Sequence, residues 1–197
     1  PLIFGVYGAA YEEVLDRDSD EIMLLRAAQN ALVHLKCGVT TLRENGARNN
    51  ITFDLRAGAQ RGYATTPRLL LCGRPVTLTG GHFYWCNQEA DGVEGVRAAV
   101  RQLVKDGADH IKIMASGGGT AITDNRRSSY TVEELRAIVE RHGEMVDRGE
   151  TGAEADGEFH LAIARAALLD MAVLVFDDST AAIDAEMVLL VAPAQYM

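Results

Sequence analysis

Basic charge is scarce in this chain: 19 lysines and arginines stand against 28 acids, for a formal net charge of −9. The arginines Arg43, Arg61, Arg68, Arg126 and Arg127 are scattered and build no stripe. Nucleic acid and anionic membrane surfaces, which need clustered positive charge, are therefore excluded as main partners. Cysteine is equally sparse. Cys37, Cys72 and Cys86 are an odd number without Cys-x-x-Cys spacing, so they read as reduced thiols, small buried hydrophobes in a cytoplasmic protein. The first residues show no basic region followed by an apolar run, and no secretory leader is expected. The most apolar stretch, Leu161 to Phe176, is interrupted by Arg165 and Asp170 and falls short of the ~20 residues a membrane span needs. No Gly-x4-Gly-Lys-Ser/Thr phosphate loop occurs anywhere.

What remains is an ordinary globular composition, 48% hydrophobic and 24% charged over 197 residues, enough for one medium domain. A rhythm of strands and helices runs through it. Ser19 and Asp20 can cap a helix carrying Ile22, Leu25, Leu32 and Leu35 and stopping at Gly38. Val39 to Arg43 reads as a strand, Ile51 to Gln60 as a helix, and "RLLLCG" as a short strand closed by Gly73. A long loop follows, containing "TGGHFYW" (Thr79 to Trp85). Asp91 with Glu94 resembles a capping box opening a helix of Val93, Val96, Val100, Leu103 and Val104 that ends at Gly107. "HIKIMA" (His110 to Ala115) is a strand, "SGGGT" a glycine loop, and Thr131 with Glu134 a further capping box before a helix that Gly143 stops. Strand and helix alternating at this spacing predict parallel β/α units, with chemistry on the loops after the strands, which begin at Arg43, Gly73 and Ala115.

Lys112 stands out among the polar residues. It lies between Ile111 and Ile113, so on a strand it points away from their face. A lysine inside an α/β core is costly unless it is paired or modified. It either reaches solvent or a buried acid, or belongs to a site. His34 and His142 sit in helices and read as structural or surface residues. No two of the five histidines have metal-ligand spacing such as i, i+2 or i, i+4.

Four segments in order, "GVTTLRENG", "TTPRLLLCGRPVTLTGGH", "GADHIKIMASGG" and "SSYTVEELRAIV", resemble the amidohydrolase superfamily. The nearest branch is imidazolonepropionase-like and includes prolidase-type dipeptidases. The resemblance covers about Asp16 to Arg141. It implies a (β/α) barrel that hydrolyses amide C–N bonds with one or two divalent metals, zinc first among them. By it Lys112 is the lysine that is carboxylated and bridges metal. His82 lies by the substrate and polarises the scissile carbonyl or orients substrate. Arg43 stands at the rim. Gly80 and Gly81 let the backbone approach substrate closely, and Phe83, Tyr84 and Trp85 wall the pocket or simply pack the loop. The expected site is thus His82 and Lys112 as catalytic residues, Arg43, Gly81, His82 and Tyr84 toward substrate, and Lys112 toward metal. The family's His-x-His pair and its later histidines and aspartate have no counterpart here, so the resemblance describes an incomplete barrel.

Residues 1–145 are expected to form that partial, parallel-stranded barrel, and 146–197 a separate α/β segment after the acidic, aperiodic "EMVDRGETGAEADG". Within the latter, His160 to Glu186 resembles the Walker B to D-loop segment of ABC-transporter ATPase domains, with Asp177 as the magnesium-associated acid, Asp178 in place of the catalytic glutamate, and Asp184 in the D-loop. The missing phosphate loop argues against ATP turnover. The expected function is metal-dependent hydrolysis of a small dipeptide-like or cyclic amide. The alternatives are a non-catalytic α/β scaffold, whose open barrel edges would drive homo-oligomerisation, and an ABC-type ATPase fragment.

Overall fold

A computed structural model describes residues 2–4, 17–118 and 127–138. The ordered elements are α1 (Asp20–Lys36), β1 (Thr41–Glu44), α2 (Ile51–Gln60), β2 (Arg68–Leu71), β3 (Val76–Thr77), β4 (Gln88–Glu89) and α3 (Gly92–Asp106). A further helical stretch, α4, covers residues 132–138. Asp177, Asp178, Asp184, His142, His160, Gly143 and the expected division near residue 145 lie outside the described residues.

Helix α1 begins where its cap predicts: the Ser19 hydroxyl accepts from Ile22 N. The face it buries is not the one its large residues mark. Met23, Ala27 and Ala31 are buried, whereas Ile22 and Leu25 are 48% and 67% exposed. Small residues let α1 lie close to its neighbour α2, and Ile51 and Leu55 share its apolar cluster. Helix α3 stops at Gly107, which holds φ +96°, a conformation that penalises any Cβ.

All strand pairing in the named elements is parallel. β1 and β2 run in register from Thr41 opposite Arg68 to Glu44 opposite Leu71, and β3 pairs with β4. The "HIKIMA" segment contributes a parallel bridge, Ile113 opposite Val76, and not a full strand. It nevertheless links the two pairs. Asp109 N donates to Leu71 O (2.7 Å), Val76 N to Lys112 O (2.8 Å) and Met114 N to Val76 O (2.8 Å). β1 and β2 therefore run parallel to each other, residues 112–114 run parallel to β3 and β3 to β4, and the Asp109 bond joins the two sets. The Asp109 carboxylate fixes this junction, accepting from Leu71 N at 2.7 Å and pairing with Arg56 of α2 at 2.6 Å.

Alternation along residues 111–115 separates two apolar clusters. Ile111, Ile113 and Ala115 pack with Val96, Val100 and Leu103 of α3 and with Leu135 and Ile138 of α4. Met114 instead joins Phe83 and Cys86. Lys112, two residues before Met114, shares that second face. The long stretch expected after Gly73 is thus shorter as a loop, because β3 and β4 lie inside it. Their two-residue length leaves no period for a sequence pattern to show.

Candidate active site at the strand ends

Three segments converge where the parallel strands end. The first is the end of β1. Glu44 is 2% exposed, accepting from Leu2 N (3.2 Å) and Gly46 N (2.9 Å). Burial pushes its carboxyl up from the usual range, while the Lys112 ammonium acts in the opposite direction. The second is half-buried Lys112 itself, whose charge is felt by both Glu44 and Cys86. Arg43 is half-buried, one residue before Glu44 and so on the alternate face of β1. Glu44 is therefore a β1 residue in the field of Lys112. It was readable as an acid closing an apolar strand, but only burial gives it weight.

The third segment is the loop from Leu78 to Asn87. Its histidine, His82, is 3% exposed, and its carbonyl accepts from Asn87 Nδ2 at 3.1 Å. A Cβ built on Gly118 would lie 2.4 Å from His82 Cε1 and Nε2. The imidazole thus lies directly on the backbone of the glycine loop that follows Lys112. Its other neighbour is the Phe83 ring, edge-on with centroids 4.4 Å apart. Phe83 has φ +55°, strained for an aromatic residue, and is held there by the Phe4 and Trp85 rings at 6.2 and 5.4 Å. Tyr84 is 41% exposed at the surface of the loop, with Trp85 edge-on at 5.1 Å.

Gly81 is buried, and a Cβ there would meet Thr77 Oγ1 at 2.5 Å and Leu78 O at 2.9 Å. Its glycine is required by the loop's own tight turn. Gly80, at φ +69° with nothing within 4 Å, is required by its backbone conformation. Cys72 and Cys86 are buried, and burial pushes the Cys86 thiol up to about 12, so it is inert at neutral pH; Cys37, expected to be buried, is exposed. His110, 5% exposed, meets Asn45 Oδ1 at 3.1 Å and ties the residue after Glu44 to the Lys112 segment. Neither His110, Asn45 nor Gly118 was marked by spacing, because each matters through a partner far away in sequence.

Among solved structures, an amidohydrolase matches with a TM-score of 0.60 and 32% identity, covering 67% of this chain and 37% of that one. A Xaa-Pro dipeptidase with bound methionine matches equally well, at 32% identity and TM-score 0.60 over 68% of this chain and 36% of its own. The likeness is to the amidohydrolase superfamily. Among curated proteins, ochratoxinase of Aspergillus niger is 52% identical over 52 residues, 26% of this chain and 11% of that protein. The chain thus spans little more than a third of the solved amidohydrolases, and the aligned stretch about a tenth of ochratoxinase. No family model matches. The relatives named here are amide hydrolases, and the resemblance of residues 160–186 to ABC ATPases gains no support from them. No helix among the described residues is long and apolar enough to cross a membrane.

Proposed function

We propose that this chain carries part of the catalytic face of a hydrolase that cleaves amide C–N bonds in small dipeptide-like or cyclic amide substrates. The observation that supports it most is the meeting of buried His82 with the glycine loop after Lys112, at the common end of parallel strands, in a chain whose relatives are amidohydrolases. On this reading the described residues are one portion of a (β/α) barrel. His82 donates to the scissile carbonyl oxygen as negative charge develops there, an effect worth about 3 kcal/mol when a preorganised donor is used. Wedged between Phe83 and Gly118, the ring needs little reorganisation to act. Tyr84 and Arg43 contact substrate from the rim, and Gly81 lets the loop turn tightly enough to present His82.

Lys112 is the candidate for carboxylation, which would turn a cation into an anionic ligand for a divalent metal such as zinc. Zinc needs about four ligands. Among the described residues no three of His, Cys, Asp or Glu converge, so those residues by themselves do not fit a complete zinc set. The experiment is hydrolysis of a panel of N-acyl amino acids and dipeptides, with metal counted per chain. Lys112→Ala is expected to abolish turnover and lower metal content, and His82→Ala to cut turnover with metal retained. Undiminished hydrolysis in Lys112→Ala would refute the assignment.

A second reading, a non-catalytic scaffold that self-associates, is favoured by the exposed apolar residues Ile22, Leu25 and Val33 on α1. Light scattering at the monomer mass of 21.3 kDa at micromolar concentration would remove it.

A further inference from the structure

Asp91 occupies the N-cap of α3 with the extended backbone of a capping residue, yet its side chain makes no bond to its own helix. Glu94, the expected capping-box partner, pairs with Arg97 instead. The Asp91 carboxylate is committed to Thr79. One oxygen accepts from Thr79 N at 3.0 Å, and the other accepts from the Thr79 hydroxyl. The vacated cap is supplied from the next helix: Gly92 N donates to Glu134 Oε1 at 2.7 Å. The second oxygen of Glu134 closes its own capping box, accepting from Thr131 N at 2.7 Å and Thr131 Oγ1 at 2.9 Å. One residue beyond Thr79, Gly80 N donates to Glu89 Oε1 at 2.8 Å.

We propose that Asp91 is a positioning residue for His82. Its carboxylate clamps the start of the His82 loop, and Glu134 takes over the helix cap so that it can. This rests on the reading of His82 as the residue that meets substrate. The need for a clamp follows from the loop's composition. Thr79-Gly80-Gly81 has two consecutive glycines, whose backbones hold no geometry unaided. Exposed N–H groups would be satisfied by water, so the carboxylates are not rescuing buried donors. What these acceptors add is bonds of defined direction between the loop and fixed neighbouring segments. From Thr79 the chain reaches His82 in three residues, turning through Gly81 N to Leu78 O at 2.8 Å, and its exit is held by Asn87 N on Phe83 O at 3.1 Å. A shift at Thr79 is thus passed to the imidazole and to the rings beside it.

The test uses Trp85, the chain's single tryptophan and a residue of the same loop. In Asp91→Ala, Trp85 emission is expected to shift to the red and acrylamide quenching to rise, with helical content by circular dichroism unchanged, because Glu134 still caps α3. Thr79→Val, which removes only the hydroxyl arm, is expected to shift it less in the same direction. Asp91→Asn is expected to restore the wild-type signal, since its carbonyl can accept from Thr79 N while its amide donates to the Thr79 hydroxyl oxygen. With an amide substrate, Asp91→Ala is expected to lower kcat about tenfold or more with KM little changed, and Asp91→Asn to retain it. An unchanged Trp85 signal in both Asp91→Ala and Thr79→Val overturns the proposal, as does loss of helix with Trp85 unaltered. If the wild-type protein hydrolyses no amide, the proposed function fails, and the Trp85 signal alone then judges whether Asp91 holds the loop.

Discussion

Replacing Gly118 by alanine tests the arrangement of the site at its tightest contact. The new Cβ would stand 2.4 Å from His82 Cε1 and Nε2 and 2.7 Å from Nδ1, where ordinary contact begins at 3.4 Å. The ring must therefore retreat by about 1 Å or the glycine loop must rise by as much. The ring has little room, because the Phe83 ring lies 4.4 Å away on centroid distance and Phe83 is itself held at positive φ. Overpacking of this kind costs about 1–3 kcal/mol of stability. Displacing a catalytic group by about 1 Å costs on the order of 100-fold in turnover, or about 2.7 kcal/mol. Gly118→Ala is therefore expected to lower the urea midpoint and to move the His82 imidazole resonances. It should also cut kcat on an N-acyl amino acid about 100-fold with metal content unaltered. A variant that keeps the wild-type imidazole resonances and midpoint would show that His82 does not rest on Gly118, and the convergence of the two loops would be wrong.

Three further outcomes follow from other parts of the structure. Leu103 is fully buried between α3 and the strands, so Leu103→Ala is expected to cost about 2–5 kcal/mol in urea unfolding with an unchanged m-value. A thiol reagent at neutral pH should modify Cys37 alone in the native protein and all three cysteines in denaturant, because Cys72 and Cys86 are buried; rapid labelling of Cys86 in native buffer would contradict its placement. Asp91 is held below its usual value of 3.8 by the Thr79 hydroxyl and then by the Thr79 N–H. Burial opposes the same effect at Glu134, but the bonds from Thr131 and Gly92 still hold it below 4.5. Both native values are depressed, so their stabilisation is complete above the unfolded values and is lost as pH falls through the native ones. The double variant Asp91→Asn, Glu134→Gln should flatten the fall in urea midpoint between about pH 5 and about pH 2, and an unaltered profile would refute the linkage.

Much of this architecture was legible in the chain because its signals are local. A serine cap acts on an N–H three residues away, a capping box spans one turn, and a left-handed glycine ends a helix without help from elsewhere. Ser19, Thr131 with Glu134, and Gly107 accordingly do what their positions imply. The alternation in "HIKIM" likewise sufficed to turn Lys112 away from the helical layer. Local rules failed where a group had a choice of partners. Asp91 carries the same capping sign as Ser19, but its carboxylate finds Thr79, twelve residues earlier, while Glu134, forty-two residues later, reaches Gly92. Helix α1 shows a stripe of large apolar residues and buries Met23, Ala27 and Ala31 instead, since close approach to α2 favours the face carrying the alanines. The sequence by itself determined the helices α1 to α3 and the strands β1 and β2, and that Lys112 and His82 sit beside glycine-rich turns. The two-residue strands β3 and β4 and the single bridge of the "HIKIMA" segment depend instead on partners elsewhere in the chain. Only the tertiary structure decided that Glu44 lies in the field of Lys112 and that Gly118 lies against His82. Those contacts depend on parallel register and on the shape left between packed loops, and neither is set within a single turn of chain.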